Sequence, residues 1–452
     1  MNHTWADQAV FYHIYPLGLC AAPKQNDFQS PTVERLDQLV PWLDHIQGLG
    51  CTALYLGPLF ESSVHGYDTA DYYQVDRRLG TRDTLSRFSR ELHYRGLKLV
   101  LDGVFNHTGR DFWAFKDLQV NRERSAYAGW FQGVDFSRSS PYNDPFSYDG
   151  WSGHYDLVKL NLDHPDVRSH LFDAVRLWIE EFDIDGLRLD AADQMSPGFL
   201  SSLARFCRDL RPEFWLMGEM VGGDYRRLAN SEMLDSVTNY EAYKSLYSSH
   251  VDKNYFEIAY SLNRQFGAGG IYREFQPYNF ADNHDVNRVA SSLKDPAHLY
   301  PLYCLLFSMP GIPSIYYGSE WGLSGQRTPS SDDGLRPQIN LMEKTSFPNH
   351  GLASTITRLA EVHRTKKALT EGNYVQLHVS SEQFAFLRSH PEGDMITAVN
   401  SSERPCQLEL QLPFDNGFLQ DLLDPGQVFP IAADRASIFV AASGGRILSV
   451  RR

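Results

Sequence analysis

Gly186-Leu187-Arg188-Leu189-Asp190-Ala191-Ala192-Asp193-Gln194 is the stretch from which the fold can be read. Ahead of it, Phe172, Val175, Trp178, Ile179 and Phe182 recur at helical spacing. Asp183-Ile184-Asp185-Gly186 interrupts that helix, with the glycine as the breaker. Leu187 and Leu189 then alternate with Arg188, as on a short buried strand. Residues two apart on a strand point to the same side, so Arg188 and Asp190 face one another. A neighbouring cation lowers a carboxylate's pKa and keeps it ionised. An ionised carboxylate at the end of a strand suits a nucleophile of glycoside hydrolysis. The same pair also suits a purely structural role at a strand end.

Outward from this stretch the chain alternates. Val10–Tyr15 reads as a first strand closed by Pro16, and 31–47 as a helix with Leu36, Leu39, Val40, Leu43 and Ile46 on one face. Thr52–Leu56 and Leu97–Phe105 read as strands, with a helix around Leu85, Phe88 and Leu92 between them. The pattern continues as helix 167–182, strand 186–190, helix 198–210 and strand 214–218, with further strands predicted at 236–238, 278–281 and 313–317. Strands alternating with helices argue for a parallel sheet, and about eight of them predict a closed (β/α)8 TIM barrel. A doubly wound sheet usually carries a Gly-rich phosphate turn near its start, and none is present.

Two regions depart from the rhythm. Residues 108–160 are rich in aromatics, Gly, Ser, Pro and Asp without helical period, and are expected to form a loop-built insertion after strand 3. From about 372 the helices stop, and Val375–Val379, Phe384–Arg388, Met395–Asn400 and Cys406–Leu412 predict an antiparallel β-sandwich. The expected domains are a barrel from 1–107 and 161–371, an insertion at 108–160, and a C-terminal β-domain at 372–452.

Composition narrows the function. The 452 residues are 42% hydrophobic and 22% charged, ordinary for a soluble globular protein. A net charge of −14, with no Lys/Arg run, argues against nucleic acid as a partner. No stretch approaches the roughly 18 apolar residues that span a bilayer, so no membrane partner is expected. The polar start from Met1 shows no signal peptide, and five scattered cysteines fit a reducing compartment. A cytoplasmic location is expected. Aromatics reach 13%, through core packing or through rings that stack on sugars.

In such a barrel the active site forms where the strands end. Strand 3 ends Asp102-Gly103-Val104-Phe105-Asn106-His107, strand 4 at Arg188 and Asp190, strand 5 at Gly218-Glu219, and strand 7 at Asp282-Asn283-His284-Asp285. Retaining glycosidases need one ionised carboxylate and one protonated carboxyl side by side. Asp190, beside Arg188, suits the nucleophile. Glu219 follows an apolar run with no cation adjacent in sequence and suits the acid/base. Asp285 can stabilise positive charge in the transition state, and His107 and His284 can donate to sugar hydroxyls. The residues imply a small oligosaccharide as partner and no cofactor.

These four segments resemble, in order, four short motifs of the alpha-amylase family, glycoside hydrolase family 13. The resemblance covers nearly the whole chain. It implies a retaining enzyme on alpha-glucosidic bonds, with Asp190 as nucleophile, Glu219 as acid/base, Asp285 as transition-state stabiliser, and Arg188, His107 and His284 as accompanying residues. Tyr67, in His65-Gly66-Tyr67-Asp68, matches the family's aromatic platform under the sugar that is cleaved. Leu157-Val158-Lys159-Leu160-Asn161 resembles the segment marking neopullulanases and cyclomaltodextrinases, although the chain begins at the first barrel strand, without their usual N-terminal domain. Where cyclomaltodextrinases typically have Trp-His after the acid, this chain has Met220-Val221-Gly222-Gly223. Secreted members often carry Lys-His at Asp193-Gln194 as part of a calcium site. Asn106 matches another ligand of that site, but no oxygen-rich cage can be assembled from the sequence. Calcium is therefore the one addition the resemblance leaves open.

The expected activity is hydrolysis of short linear or cyclic maltooligosaccharides. A glucosyl or maltosyl transferase, a general endo-acting amylase, and a catalytically inactive binding subunit on the same fold are the alternatives. Trp130, Phe131, Tyr142, Phe146, Tyr148 and Trp151 of the insertion are expected to wall one side of the cleft. The second wall must come from barrel loops, from 220–260, or from another copy in a homo-oligomer. Asp68 is expected to close the far end by pairing with Arg336 from the loop after strand 8.

Overall fold

The computed structural model describes residues 4–349 and 351–452. Eight parallel strands form the barrel: β1 Phe11–Ile14, β2 Ala53–Leu56, β3 Lys98–Gly103, β4 Gly186–Leu189, β5 Trp215–Gly218, β6 Ser236–Val237, β7 Tyr278–Phe280 and β8 Ile312–Tyr316. Neighbours in the sheet run β6-β5-β4-β3-β2-β1-β8-β7. The ring closes between β6 and β7, where Thr238 bridges Tyr278 and the Asn239 N–H donates to the Tyr278 carbonyl at 2.9 Å. Asn239 secures that seam. Its Nδ2 donates to Asn279 and Gln265, while its Oδ1 caps the following helix at Ala242 N–H.

The barrel interior follows from alternation along each strand. Phe11, Ala53, Tyr55, Val100, Trp215, Met217, Tyr278, Phe280 and Ile312 point inward and form one apolar cluster, joined from below by Ala6 and Ala9. One pleat higher on the same faces come Asp102, Arg188 and Glu219. The opposite faces, such as Leu54, Leu99, Leu101, Leu187, Leu189 and Leu216, pack against the helical ring.

Local structure refines the reading around the signature stretch. The helix Pro165–Phe182 ends with Asp183 in the left-handed conformation, φ 54°. Gly186 is required for a different reason, since a Cβ there would lie 2.5 Å from the Trp215 carbonyl oxygen on β5. The segment 31–47, expected as one helix, begins with residues outside any helix or strand. It then forms a 3-10 turn over Arg35–Leu39 before the helix Val40–Gly48, where Pro41 is tolerated in the first turn.

The β3-to-β4 connection contains a small antiparallel sheet of His107–Gly109, Gly150–Trp151 and His154–Lys159. It also contains the helix Trp113–Asn121, contrary to the expectation of a region without helices. Ala114, Phe115 and Leu118 give that helix its buried face.

After the last helix, Lys367–Thr370, eight antiparallel strands follow rather than the four read from sequence. They are β9 Asn373–Val379, β10 Gln383–Ser389, β11 Met395–Asn400, β12 Cys406–Gln411, β13 Asn416–Asp421, β14 Val428–Ala432, β15 Arg435–Val440 and β16 Gly444–Arg451. They form one sheet in the order β9-β10-β11-β16-β13-β14-β15-β12, separate from the barrel sheet and folded over a core of its own. Alternation on β10 shows both faces in use. Ala385 and Leu387 enter that core, while Phe384 and Phe386 pack on the barrel side. The fully buried Arg388 donates across to the Ser308 carbonyl at 2.8 Å. Among the described residues, no helix is long and apolar enough to cross a membrane.

Candidate active site

A cleft of about 590 Å³ opens at the C-terminal ends of the barrel strands. Asp190, Glu219, Asp285, Tyr67, His107 and Arg336 all line it. Six connections supply these six side chains, one each, so the barrel brings together residues up to 269 positions apart in sequence (336 − 67).

Arg188 is the centre of the charge arrangement. Its guanidinium is buried and touches three carboxylates. Nη1 lies 2.9 Å from Asp102 and 2.9 Å from Asp190, and Nη2 lies 2.9 Å from Glu219. Asp102 is saturated, because it also accepts the hydroxyls of Tyr55 at 2.8 Å and Tyr67 at 3.0 Å. It anchors Arg188 from below and does not reach the cleft. Glu219, read from sequence as free of a neighbouring cation, therefore has one, delivered from β4 by the pairing of β4 with β5.

The two carboxyls in the cleft are held differently. Asp190 Oδ1 accepts from Arg188, while its Oδ2 has only His107 Nε2, at 3.8 Å. Glu219 Oε2 accepts from Arg188 and from the Ala191 N–H at 3.2 Å, and its Oε1 accepts the Tyr240 hydroxyl at 3.2 Å. Ala191 sits in the left-handed region at φ 48°, which turns its N–H toward Glu219. The expectation that Arg188 alone would depress Asp190 does not hold. Burial first, then the charges of Glu219, Asp102 and Asp285, push the Asp190 carboxyl well above its ordinary value, against the pull of Arg188. Asp190 and Glu219 share one guanidinium, which lies 2.9 Å from each. Two carboxyls held side by side on one cation, with different hydrogen-bond partners, are equipped for combined nucleophilic and acid work.

Asp285 contrasts with both. His284 Nε2 lies 2.9 Å from Oδ2, and Arg336 Nη2 lies 3.0 Å from Oδ1. Burial opposes ionisation, but His284, Arg336 and Arg188 outweigh it and hold Asp285 well below the usual carboxylate range. With both oxygens engaged, Asp285 offers a fixed negative charge rather than an attacking atom. His284 thus orients Asp285 and contacts the Tyr67 hydroxyl behind the cleft wall, instead of presenting a donor to the cleft. His107 does present one. Asn106 Nδ2 donates to its Nδ1 at 3.1 Å, which leaves the proton on Nε2, buried and without a protein acceptor. Burial pushes His107 down to about 3, so the ring is neutral.

The predicted Asp68–Arg336 pair is not formed. Asp68 accepts the backbone N–H groups of Val64, His65 and Gly66, and so shapes the loop that presents Tyr67. Arg336 turns to Asp285 and Asp332. Loop self-capping wins because three N–H donors within four residues reach Asp68 without closing any distant contact.

The aromatic wall is also smaller than expected. Trp130, Phe131, Phe146 and Tyr148 are buried in the insertion's own core, and Tyr142 lies outside it against the Arg110 guanidinium, 4.3 Å from its ring centre. Trp151 lines the cleft, held at the tip of a tight turn in which Ser152 and Gly153 take φ 49° and 83°. The facing wall comes from this chain's own β8 loop through Arg327, Asp332 and Arg336, with Val221 and Tyr240 between. Sequence reading missed Tyr240, Asp332 and Arg327. Tyr240 follows a two-residue strand that offers little pattern, and the other two lie in a long irregular loop.

Asn106 and Gln194 are the positions at which the family resemblance leaves calcium open. Asn106 is engaged with His107, and Gln194 Nε2 donates to Asp193 at 3.2 Å. Among the described residues, no group of three or more His, Cys, Asp or Glu could hold a metal ion.

Comparison with known proteins agrees with this geometry. Residues 32–368 match the alpha amylase catalytic domain. Neopullulanase 2 of Thermoactinomyces vulgaris is 31% identical over 445 residues, covering 91% of this chain and 72% of that protein. The solved structure of the cyclic alpha-maltosyl-(1→6)-maltose hydrolase from Arthrobacter globiformis, ligand-free, is similar with a TM-score of 0.83 at 28% identity, covering 100% of both chains. A cyclomaltodextrinase structure is similar with a TM-score of 0.86 at 27% identity, covering 99% of this chain and 78% of the other. A barrel rim that gathers three carboxylates around one arginine, within a match spanning most of the chain, places this protein in the alpha-amylase family of glycoside hydrolases.

Proposed function

We propose that the protein hydrolyses alpha-glucosidic bonds, mainly alpha-1,4, in short linear or cyclic maltooligosaccharides with retention of configuration. The observation that carries this reading is the unequal holding of the three carboxylates. Asp190 keeps one oxygen free toward the cleft and suits attack at the anomeric carbon. Glu219 lies beside it on the same guanidinium and suits proton transfer to the leaving oxygen. Asp285, ionised and clamped, suits stabilisation of the oxocarbenium-like transition state. The Tyr67 ring, the His107 Nε2–H and Arg336 would contact the bound sugar.

The walls support a short substrate. Trp151 on one side and the β8 loop on the other bound a cleft of about 590 Å³, within the roughly 300–1,000 Å³ usual for small-ligand sites. The full-length similarity to a hydrolase named for a small cyclic sugar points the same way. Its five free cysteines support a cytoplasmic location.

The test is product analysis on linear maltooligosaccharides, cyclodextrins, a cyclic sugar with mixed alpha-1,4 and alpha-1,6 links, and soluble starch. The first product should be the alpha anomer by NMR, and kcat/KM should be higher for sugars of a few glucose units than for starch. Equal or better rates on amylose and amylopectin would favour a general endo-acting amylase. Products dominated by longer glucans would favour a transferase.

A further inference from the structure

The two oxygens of Glu219 keep different company. Oε2 already accepts two donors, from Arg188 and the Ala191 N–H. Oε1 has one, the Tyr240 hydroxyl at 3.2 Å. That hydroxyl oxygen accepts Asn283 Nδ2–H at 3.3 Å, and Asn283 Oδ1 accepts the Asp285 N–H at 2.8 Å. A continuous line of hydrogen bonds therefore runs from Glu219 through Tyr240 to the backbone of the loop carrying Asp285. Tyr240 begins the helix Tyr240–Val251, and its ring packs edge-on against Phe280 with centroids 5.0 Å apart. Burial, with Glu219 and Asp285 nearby, pushes the phenol well above its ordinary value, so it acts only as a neutral hydroxyl.

We infer that Tyr240 is the positioning residue for the acid/base, selecting Oε1 of Glu219 as the oxygen that carries the proton and aiming it into the cleft. The inference rests on the retaining reading above. A proton on Oε2 would meet the Arg188 and Ala191 donors, so it resides on Oε1. In the first step Oε1–H passes to the glycosidic oxygen. The bond from the anomeric carbon to that oxygen breaks as Asp190 Oδ2 bonds to the carbon, and the leaving sugar departs with the proton. Oε1 is then ionised, and the Tyr240 hydroxyl donates to it. In the second step Oε1 takes a proton from water, whose oxygen replaces Asp190 on the carbon. The same hydrogen bond thus keeps Oε1 on station through both half-reactions. The charged groups facing this carboxyl are Arg188 and Asp190 from β4 and Asp285 after β7, with Asp102 behind Arg188.

Tyr240→Phe removes only the hydroxyl and keeps the ring packing. The ionised carboxylate loses a hydrogen-bond donor, so the basic limb of kcat/KM should move up by about half a pH unit. The fall in kcat/KM on a maltooligosaccharide should be about tenfold, and about five times smaller on an aryl maltoside whose good leaving group needs little acid assistance. In a Glu219→Gln background, Tyr240→Phe should add less than about twofold, because the two act as a unit. Equal losses on both sugars with an unmoved limb, or a full additional loss in the double variant, would overturn the role of Tyr240. A Glu219→Gln variant with nearly full activity on maltooligosaccharides would overturn the acid/base assignment itself, whatever Tyr240→Phe does.

Discussion

The floor and the rim of the barrel are built by the same strands and differ in nearly every physical respect. At the floor, Phe11, Trp215 and Tyr278 pack ring on ring, with Phe11 and Trp215 centroids 5.1 Å apart. One or two pleats higher, Asp102, Arg188, Asp190, Glu219 and His107 crowd together with almost no solvent contact for the first two. On β5 a single inward face runs Trp215, Met217, Glu219. Apolar burial at the floor stabilises the closed ring, and each group there needs only shape. Burial at the rim disfavours every isolated charge, so each must be met by another. One guanidinium shared by three carboxylates meets that need while leaving one Asp190 oxygen free toward the cleft. The two ends should therefore respond oppositely to substitution.

The largest expected effect is at the rim. Asp190→Asn should lower turnover by roughly 10³-fold or more while the melting temperature stays close to wild type, since it removes the attacking oxygen and little packing. Turnover above a tenth of wild type would break the assignment. The floor should show the reverse. Trp215→Ala is expected to destabilise by roughly 3–5 kcal/mol through the cavity it leaves, with kcat of the folded fraction within a fewfold of wild type. Denaturant melts and active-site titration would separate the two.

Acid sensitivity sharpens the comparison further. His250 and His363 are buried in the packed layers outside the barrel, with pKa pushed down by burial to about 3 and about 4. The unfolded chain binds their protons below about 6.5, whereas the folded protein does not until near those lowered values. Stability should thus be unaffected by these residues above pH 6.5 and fall as pH drops from about 6.5 toward 4, by at most roughly 1.4 kcal/mol per pH unit per histidine. His363→Gln should flatten the slope of melting temperature against pH in that window. An unchanged slope would overturn the assignment of acid sensitivity in that window to His363. The smallest expected effect is that of a chelator. Because Arg188 compensates the rim carboxylates, activity and melting temperature should be unchanged by chelation. A drop restored by calcium would break that view.

The signals that read correctly were those that repeat or sit at a pattern's edge. Asp102, Asp190, Glu219 and Asp285 each follow a short apolar run, so their place at strand ends was visible. Arg336 lies where the sequence places a site cation, but its partners are Asp285 and Asp332 rather than Asp68. Tyr240 was missed because β6 is two residues long. The insertion's aromatics are not separable by composition, which cannot distinguish a ring packed on its neighbours from one facing a cleft.

What the sequence alone determined is the alternation of strands and helices, the turn from apolar to charged residues along each inward face, and the ordered motifs that carry the chemistry. These are local properties, set by periodicity over a few residues. The tertiary structure decided which charges meet. It gave Glu219 a cation from the neighbouring strand, turned Asp68 onto its own loop, brought Arg336 to Asp285, and left Trp151 to face the cleft. Such choices depend on distances between segments far apart in the chain, where burial makes every unmet charge or donor costly, and only the closed barrel sets those distances.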